Sequence, residues 1–210
     1  MRIALIHALK HSVAPIEEAF SRLWPEATTF NLLDDSLSAD LAAQGHINPA
    51  MTQRFLTLAH YAAGTGADGI LFTCSAFGPC IEACAEELYP IPVLKPNEAM
   101  IREAERMGSR IGLLASFAPT LDSMPSEFPS NLIVVPRFAQ GALAALDRGE
   151  PEAHDALAAK AALALHDCDV IALAQFSLAR AQQAVSAKIG KPVLTTPDCA
   201  VRALRARLET

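Results

Sequence analysis

Short apolar runs alternate with amphipathic stretches along the chain, beginning at its first residues. In the first half, four runs have the length and apolar content of buried strands: 2–7, 28–33, 69–73 and 92–94. Between them, apolar residues recur at helical spacing over 15–23, 80–88 and 97–107, more weakly over 36–47, and along a stretch ending near residue 64. Asn48 and Thr52 are alternative N-caps for that last helix. The pattern therefore predicts strands that alternate with helices.

The order of elements begins again near residue 109. Strand patterns cover 109–115, 132–135, 169–174 and 192–194, and helical patterns cover 138–146, 152–166, 177–189 and 198–208. Three short matches accompany the repeat: Arg2-Ile3 with Arg110-Ile111, Asp68-Gly69-Ile70 with Asp169-Val170-Ile171, and Pro92-Val93-Leu94 with Pro192-Val193-Leu194. We interpret this pattern as an internal duplication with a period of about 100 residues.

Strands that alternate with helices predict parallel sheets joined by right-handed crossovers. The expected fold is α/β, with two pseudo-symmetric Rossmann-like lobes of about four strands each. We expect the first lobe at 1–97 and the second at 98–197, with helix 198–210 as a candidate to complete the first lobe. Ligands of such sheets bind beyond the carboxyl ends of the strands. The predicted site is therefore the cleft where the two sets of strand ends face each other.

The composition narrows the range of partners. The 210 residues carry a formal net charge of −6 without a basic stripe, so we expect neither nucleic acid nor an anionic membrane as partner. No stretch approaches the roughly 20 apolar residues of a membrane span. The apolar segment 3–9 is interrupted by His7, which is typical of a first strand rather than a signal peptide. Five cysteines without a C-x-x-C pair indicate reduced thiols and a cytoplasmic protein.

Cys74 is the main candidate for chemistry, because it ends a buried strand. A helix predicted to begin behind it favours the thiolate form. The hydroxyls of Thr73 and Ser75, with nearby backbone N–H groups, are suited to a substrate carboxylate. The alternative is that Cys74 is a small buried apolar residue. That second interpretation applies to the other four cysteines: Cys80, Cys84, Cys168 and Cys199.

The duplication predicts which groups face Cys74. Ungapped alignment of the two third strands places Gln175 opposite Cys74, with Ser177 two residues later. His7 ends the first strand and is either an acid, base or ligand in the same cleft or a hydrogen-bonded strand-end residue. Hydroxyls in the corresponding loops are candidate carboxylate ligands, and the first and last are equally candidate helix caps: Ser12, Ser116 and Thr120.

The sequence has no recognisable cofactor motif. No G-x-G-x-x-G follows the first strand, and neither a Walker A motif nor a cluster of metal ligands is present. We therefore expect a site that uses no cofactor and no metal. The remaining histidines in helical or polar segments are expected at the surface: His46, His60, His154 and His166.

Three segments resemble one family. Phe72-Thr73-Cys74-Ser75-Ala76-Phe77-Gly78-Pro79 resembles the first cysteine motif of the aspartate/glutamate racemase superfamily, which includes hydantoin racemases, maleate isomerases and arylmalonate decarboxylases. Pro92-Val93-Leu94-Lys95-Pro96-Asn97-Glu98-Ala99 resembles a strand-to-helix segment of the hydantoin racemase branch. Asp169-Val170-Ile171-Ala172-Leu173-Ala174-Gln175-Phe176-Ser177 occupies the place of the second motif. The resemblance covers essentially the whole chain and implies a homodimer or higher homo-oligomer.

The chain departs from the family pattern at Gln175, where the second cysteine is expected. Racemases of this family use two thiols on opposite faces of the α-carbon, whereas arylmalonate decarboxylases use one, located in the second motif. The resemblance implies a cofactor-independent isomerase that transfers a proton through Cys74 at the α-carbon of a small carboxylate or amino-acid derivative. His7 or Gln175 would be the opposing group. The alternatives are decarboxylation of a malonate-type acid with enantioselective protonation, and a non-catalytic carboxylate-binding protein.

Overall fold

The computed structural model describes residues 1–209, apart from the side chain of Ser75. Two four-stranded parallel sheets, flanked by helices, form two lobes. This architecture confirms the predicted α/β class with its duplicated lobes. Among the described residues, no helix is long and apolar enough to cross a membrane.

The first sheet consists of β1 (Arg2–His7), β2 (Thr28–Leu33), β3 (Gly69–Phe72) and β4 (Val93–Leu94), in the order β2-β1-β3-β4. Four helices connect these strands: α1 (Val13–Leu23), α2 (Ser36–Gln44), α3 (Pro49–Gly64) and α4 (Gly78–Glu87). Short 3-10 turns follow two of the strands: Lys10–Ser12 after β1 and Ser75–Phe77 after β3. Asn48, rather than Thr52, caps α3, because its side chain accepts a hydrogen bond from the Met51 N–H at 2.9 Å.

The second sheet repeats this arrangement. It consists of β5 (Arg110–Ala115), β6 (Ile133–Phe138), β7 (Val170–Leu173) and β8 (Val193–Thr195), in the order β6-β5-β7-β8. The remaining α-helices are α5 (Glu98–Met107), α6 (Ala118–Ser123), α7 (Ala142–Asp147), α8 (Pro151–Ala162), α9 (Gln182–Ile189) and α10 (Thr196–Leu208). The 3-10 turns of this half are Met124–Glu127, Leu163–Leu165 and Phe176–Ala181.

Corresponding residues of the two halves occupy corresponding places in the sheets. Ile6 pairs with Phe72 in the first sheet, and Leu114 pairs with Leu173 in the second. Two residues beyond the paired ends of β3 and β7 lie Cys74 and Gln175, so the register supports the predicted equivalence of these positions. The two halves also correspond at the amino-terminal ends of the strands. There the carboxylates of Asp68 and Asp169 accept hydrogen bonds from the backbone N–H groups of Arg2 and Arg110, at 2.7 and 2.9 Å.

Helix α10 returns to the first sheet at the end of the chain. Val201 and Leu204 are buried in one cluster with Ile3 and Leu5 of β1. Gly69 of β3 permits this approach, because a β-carbon there would lie only 3.2 Å from a Leu204 methyl group. We propose from this packing that α10 completes the first lobe; the division of the chain near residue 97 remains a prediction.

One predicted helix begins later than expected. The pattern at 138–146 predicts a helix, but Phe138 is the last residue of β6, where it pairs with Ala115. Helix α7 starts only at Ala142, after Gly141 adopts a left-handed conformation with φ of 79°. The apolar spacing is the same for an edge-strand residue and a first helical turn, so periodicity alone did not separate the two.

Phe176 connects the lobes through the core. It belongs to the turn after β7 in the second lobe, yet it is 1% exposed and packs in the first-lobe cluster that contains Phe20 and Trp24. The turn after β1 in the first lobe, Lys10–Ser12, contacts the turn after β7 in the second, Phe176–Ala181. An apolar side chain from one lobe therefore holds the two sets of strand ends together.

Replacing Phe176 by alanine should destabilise the protein by about 3–5 kcal/mol, because it leaves a cavity between the lobes. The measurement is urea denaturation followed by circular dichroism. Phe138→Ala, at a ring that is 44% exposed, is the matched control and should cost about 1 kcal/mol or less. Equal losses for the two variants would contradict the packing role of Phe176.

Candidate active site

Cys74 lies just beyond the end of β3 and is only partly exposed. Burial raises the pKa of its thiol to about 11, and the Ala76 N–H and the Ser38 side chain beside the sulfur lower it only in part. The expectation that a helix N-terminus would favour the thiolate was therefore wrong. A 3-10 turn, Ser75–Phe77, separates Cys74 from α4, and the desolvation of the sulfur outweighs the donors around it. At neutral pH Cys74 is a protonated thiol.

His7 is fully buried at the end of β1, and both of its ring nitrogens are engaged. Nδ1 lies 2.8 Å from the Thr73 hydroxyl, and Nε2 lies 2.9 Å from Oδ1 of Asn31. Asn31 in turn donates through Nδ2 to Glu17 at 2.7 Å. Because its nitrogen faces the carboxylate, Asn31 presents its oxygen to the ring, and Nε2 must carry the proton.

Burial lowers the pKa of His7, and the nearby Asn31 and Glu17 oppose that shift only in part. The ring is therefore neutral, with the Nδ1 lone pair directed at Thr73. Of the two interpretations of His7 that the sequence left open, this geometry favours the hydrogen-bonded residue at the end of a strand. Asn31 and Glu17 were missed by the sequence analysis, since only the pairing of β1 with β2 brings Asn31 alongside the first strand.

Ser12 and Thr120 are buried at corresponding positions; Ser12 stands at the N-cap position of α1, but its hydroxyl makes no capping hydrogen bond. Ser12 donates to the Leu9 carbonyl at 2.6 Å and lies 3.1 Å from Nδ1 of His7. Thr120 lies inside α6, whose N-cap position is Phe117. The two backbone turns match, with Ser12 N–H bonded to the Leu9 carbonyl and Thr120 N–H to the Phe117 carbonyl, at 3.1 and 3.2 Å. The helix-cap alternative was therefore wrong for both hydroxyls.

Gln175 is buried beyond the end of β7, and three donors surround its side-chain oxygen. The backbone N–H and hydroxyl of Ser116 and the backbone N–H of Phe117 all bond Oε1, the last two at 3.1 Å. Since a backbone N–H only donates, this atom must be the amide oxygen. The carboxamide is thus fixed with its oxygen toward the loop after β5. Ser116, predicted as a carboxylate ligand, bonds Gln175 here.

Ser177 is a second buried polar group in the same turn. It is 2% exposed, and its hydroxyl oxygen has no hydrogen-bond partner among the described residues. The side chain of Ser75, the remaining predicted ligand, lies outside the described residues. Among the predicted residues, Ser12 and Thr73 bond His7 in the first lobe, and Ser116 bonds Gln175 in the second. Contacts between α6 and the turn Ser75–Phe77 bring the two lobes together on the side of Cys74.

His154 contradicts the expectation of a surface position. It lies in the first turn of α8 and is fully buried, with Nδ1 2.8 Å from Oδ1 of Asp155 and Nε2 without a partner among the described residues. Burial lowers its pKa. The sequence offered no signal for this burial, since the polar residues around His154 are typical of an exposed helix start.

A groove of about 550 Å³ follows the boundary between the lobes without reaching Cys74 or Gln175. Glu127 of the second lobe lines it and accepts hydrogen bonds from Nδ2 of Asn97 at 3.3 and 3.4 Å. Burial raises the pKa of Glu127 to about 7, although Lys95 and Asn97 lower it. Glu127 is therefore an acidic group that titrates near neutrality at the contact between the lobes.

The fold is that of a two-lobed α/β protein with duplicated halves, and the candidate site lies between the halves, at the carboxyl ends of their strands. A family model described as Asp/Glu/hydantoin racemase matches residues 11–204. The chain therefore belongs to the Asp/Glu/hydantoin racemase family, and the resemblance drawn from its sequence is confirmed. A search of curated protein sequences gives no significant match.

Solved structures of racemases share the fold. Allantoin racemase from Klebsiella pneumoniae superimposes with a TM-score of 0.77 at 17% identity, covering 100% of this chain and 88% of that one. Glutamate racemase from Francisella tularensis in complex with D-glutamate gives 0.76 at 13% identity, covering 99% and 81%. Aspartate racemase from Picrophilus torridus gives 0.73 at 14% identity, covering 99% and 94%. At these identities the comparison establishes the architecture.

The raised pKa of Cys74 predicts a pH profile for its alkylation. Only the thiolate reacts, so the rate with iodoacetamide should rise about tenfold per pH unit from pH 7 to pH 10 without levelling off near 9. Mass spectrometry of the Cys74 peptide measures the rate. A model peptide of the same sequence, whose thiol has an ordinary pKa of about 8.5, is the control. A plateau below pH 9 in the folded protein would contradict the burial of the sulfur.

The raised pKa of Glu127 predicts that the stability of the protein depends on pH. Because its folded pKa, about 7, lies above its ordinary value of 4.5, its contribution is fully present below pH 4.5 and is lost as pH rises through 7. From pH 5 to pH 8 this contribution changes by about 2–3 kcal/mol, so the Tm of the wild type should fall by about 4–10 °C relative to Glu127→Gln. Glu105→Gln, at an exposed carboxylate of the same groove, is the control. A Tm difference that does not change with pH would contradict the assignment.

Proposed function

We propose that this protein is a cofactor-independent isomerase that acts by thiol-mediated proton transfer at the α-carbon of a small carboxylate or amino-acid derivative. Membership of the racemase family supports the isomerase class. The observation that carries the proposal is the position of Cys74, a protonated thiol at the end of β3 where the two lobes meet. A carbon acid held at this boundary would meet one sulfur and several hydrogen-bond donors.

In this proposal Cys74 exchanges a proton with the α-carbon, and the surrounding donors stabilise the enediolate-like intermediate. The candidate donors are the predicted hydroxyls and nearby backbone N–H groups: Ser12, Thr73, Ser75, Ser116, Thr120 and Ser177. Inversion also needs an acid or base on the other face of the carbon, and we assign His7 that role, acting through the Thr73 hydroxyl that lies 2.8 Å from its Nδ1. The site as proposed needs no cofactor and no metal. A cytoplasmic location and a homo-oligomeric state remain predictions.

A second candidate function is decarboxylation of a malonate-type acid followed by protonation on one face. The observation that favours it is the asymmetry of the boundary. Cys74 is protonated and therefore poised to donate, whereas the amide of Gln175, at the equivalent position, carries no proton at neutral pH that it can exchange as an acid or base. Inversion requires proton exchange on both faces of the carbon, but protonation after loss of carbon dioxide requires one.

Incubation in heavy water separates these reactions. The substrates to test are glutamate, aspartate and allantoin, which the structural neighbours are named for, together with hydantoins and substituted malonates. Exchange with inversion, followed by NMR and chiral chromatography, supports the isomerase. Release of carbon dioxide with one enantiomer of deuterated product supports the decarboxylase.

Cys74→Ser should lower the rate on any confirmed substrate by about 10²- to 10⁴-fold, because the hydroxyl is a far weaker acid than the thiol. Cys168→Ala is the control, since Cys168 lies just before β7, at the amino-terminal ends of the strands and therefore away from the candidate site. Full activity of Cys74→Ser would contradict the proposal. Binding of these acids without exchange or decarboxylation would instead indicate a carboxylate-binding protein.

A further inference from the structure

The second lobe fixes the orientation of the Gln175 carboxamide. Its oxygen is already bonded by the Ser116 N–H, the Ser116 hydroxyl and the Phe117 N–H. Turning the amide over would place its NH₂ group against two backbone N–H groups, which is a steric and electrostatic conflict. The remaining polar end of Gln175 is therefore Nε2, a group that only donates hydrogen bonds.

Ser177 adds a second unsatisfied group two residues further on. Its hydroxyl is buried without a partner among the described residues. A buried hydroxyl without a hydrogen bond lowers stability unless a ligand or water completes it. Gln175 and Ser177 both follow β7 at its carboxyl end, where α/β sheets bind ligands.

In the first lobe, the polar side chains near the strand ends are hydrogen-bonded to one another. Thr73 and Ser12 bond the ring of His7. The Ala76 N–H bonds the sulfur of Cys74, and the Ser38 hydroxyl donates to the Ala8 carbonyl at 2.7 Å. Of the groups described here, Nε2 of Gln175 and the hydroxyl of Ser177 thus remain for a substrate on the second lobe, and the thiol belongs to the first.

We propose that the Gln175 carboxamide and the Ser177 hydroxyl form a donor site for a carboxylate oxygen of the substrate, while Cys74 approaches the adjacent carbon from the opposite lobe. This inference rests on the proposed function and deepens it. Gln175, in the place of a second thiol, determines specificity rather than transferring a proton. The substrate class is a carboxylic acid whose α-carbon is presented to a single thiol.

Iodoacetate and iodoacetamide test this arrangement without a known substrate. Each forms a bond from the Cys74 sulfur to its own α-carbon, iodide leaves, and the thiol proton passes to solvent. The reagents differ in the group next to that carbon, a carboxylate in one and a neutral amide in the other. The ratio of their alkylation rates at Cys74, measured by mass spectrometry, therefore reports whether a carboxylate is favoured beside the thiol and cancels changes in thiol reactivity.

Gln175→Glu keeps the oxygen bonded by the three donors but replaces the NH₂ group by a second carboxylate oxygen. We expect the iodoacetate-to-iodoacetamide ratio to fall roughly tenfold, since a charge-assisted hydrogen bond becomes a repulsion. Ser177→Ala should lower the ratio severalfold, and it keeps the test available if the first variant does not fold. Gln183→Glu and Ser186→Ala, at exposed positions of α9, are the charge and hydroxyl controls and should leave the ratio unchanged.

An unchanged ratio in Gln175→Glu and Ser177→Ala would overturn the donor site. Failure of Cys74 in the wild type to react with either reagent would do so as well, because the boundary would then admit no carboxylate of this size. These outcomes are distinct from failure of the proposed function. That function depends on proton exchange by Cys74, and exchange could persist with the carboxylate bound elsewhere.

Discussion

Burial at the boundary between the two lobes is the constraint on which the chemistry of this protein depends. It keeps Cys74 a protonated thiol and His7 a neutral ring, against the donors and carboxylates nearby. In open water each group would titrate closer to neutrality. Cys74 packs against the core cluster that contains Ala4 and Ile6, whereas Phe176 packs on the other face of the first sheet, in the cluster with Ile3 and Leu5. Packing around the strand ends thus determines the protonation states available to the candidate site.

Duplication reproduced the backbone of the site and left its side chains to diverge. The turns at Leu9–Ser12 and Phe117–Thr120 have matching hydrogen bonds, and β3 and β7 have matching registers. At the equivalent strand ends, however, one lobe carries a thiol and the other an amide. The symmetric scaffold therefore holds an asymmetric pair of functional groups, which is why the family fold alone does not determine the reaction.

The sequence predicted the fold well because its signals are local and repeated. Apolar runs, helical periodicity and the duplicated order of elements place all eight strands within a few residues of their observed positions. The site was predicted less completely. The Cys74–Gln175 equivalence followed from alignment, but the protonation of Cys74 depends on packing between distant segments. The chain from His7 through Asn31 to Glu17 depends on strand pairing, and the burial of His154 on the arrangement of helices around α8. None of these has a local signature.

The two lobes are also joined by polar contacts at their boundary. Glu127 of the second lobe bonds Asn97 on one side of the boundary. On the other side, His11 of the first lobe lies 2.9 Å from Asp147 of α7. Both contacts are polar and partly exposed, so water can replace them at low cost, whereas the insertion of Phe176 is apolar and costly to withdraw. The apolar insertion of Phe176 therefore contributes more to the association of the lobes than either polar contact.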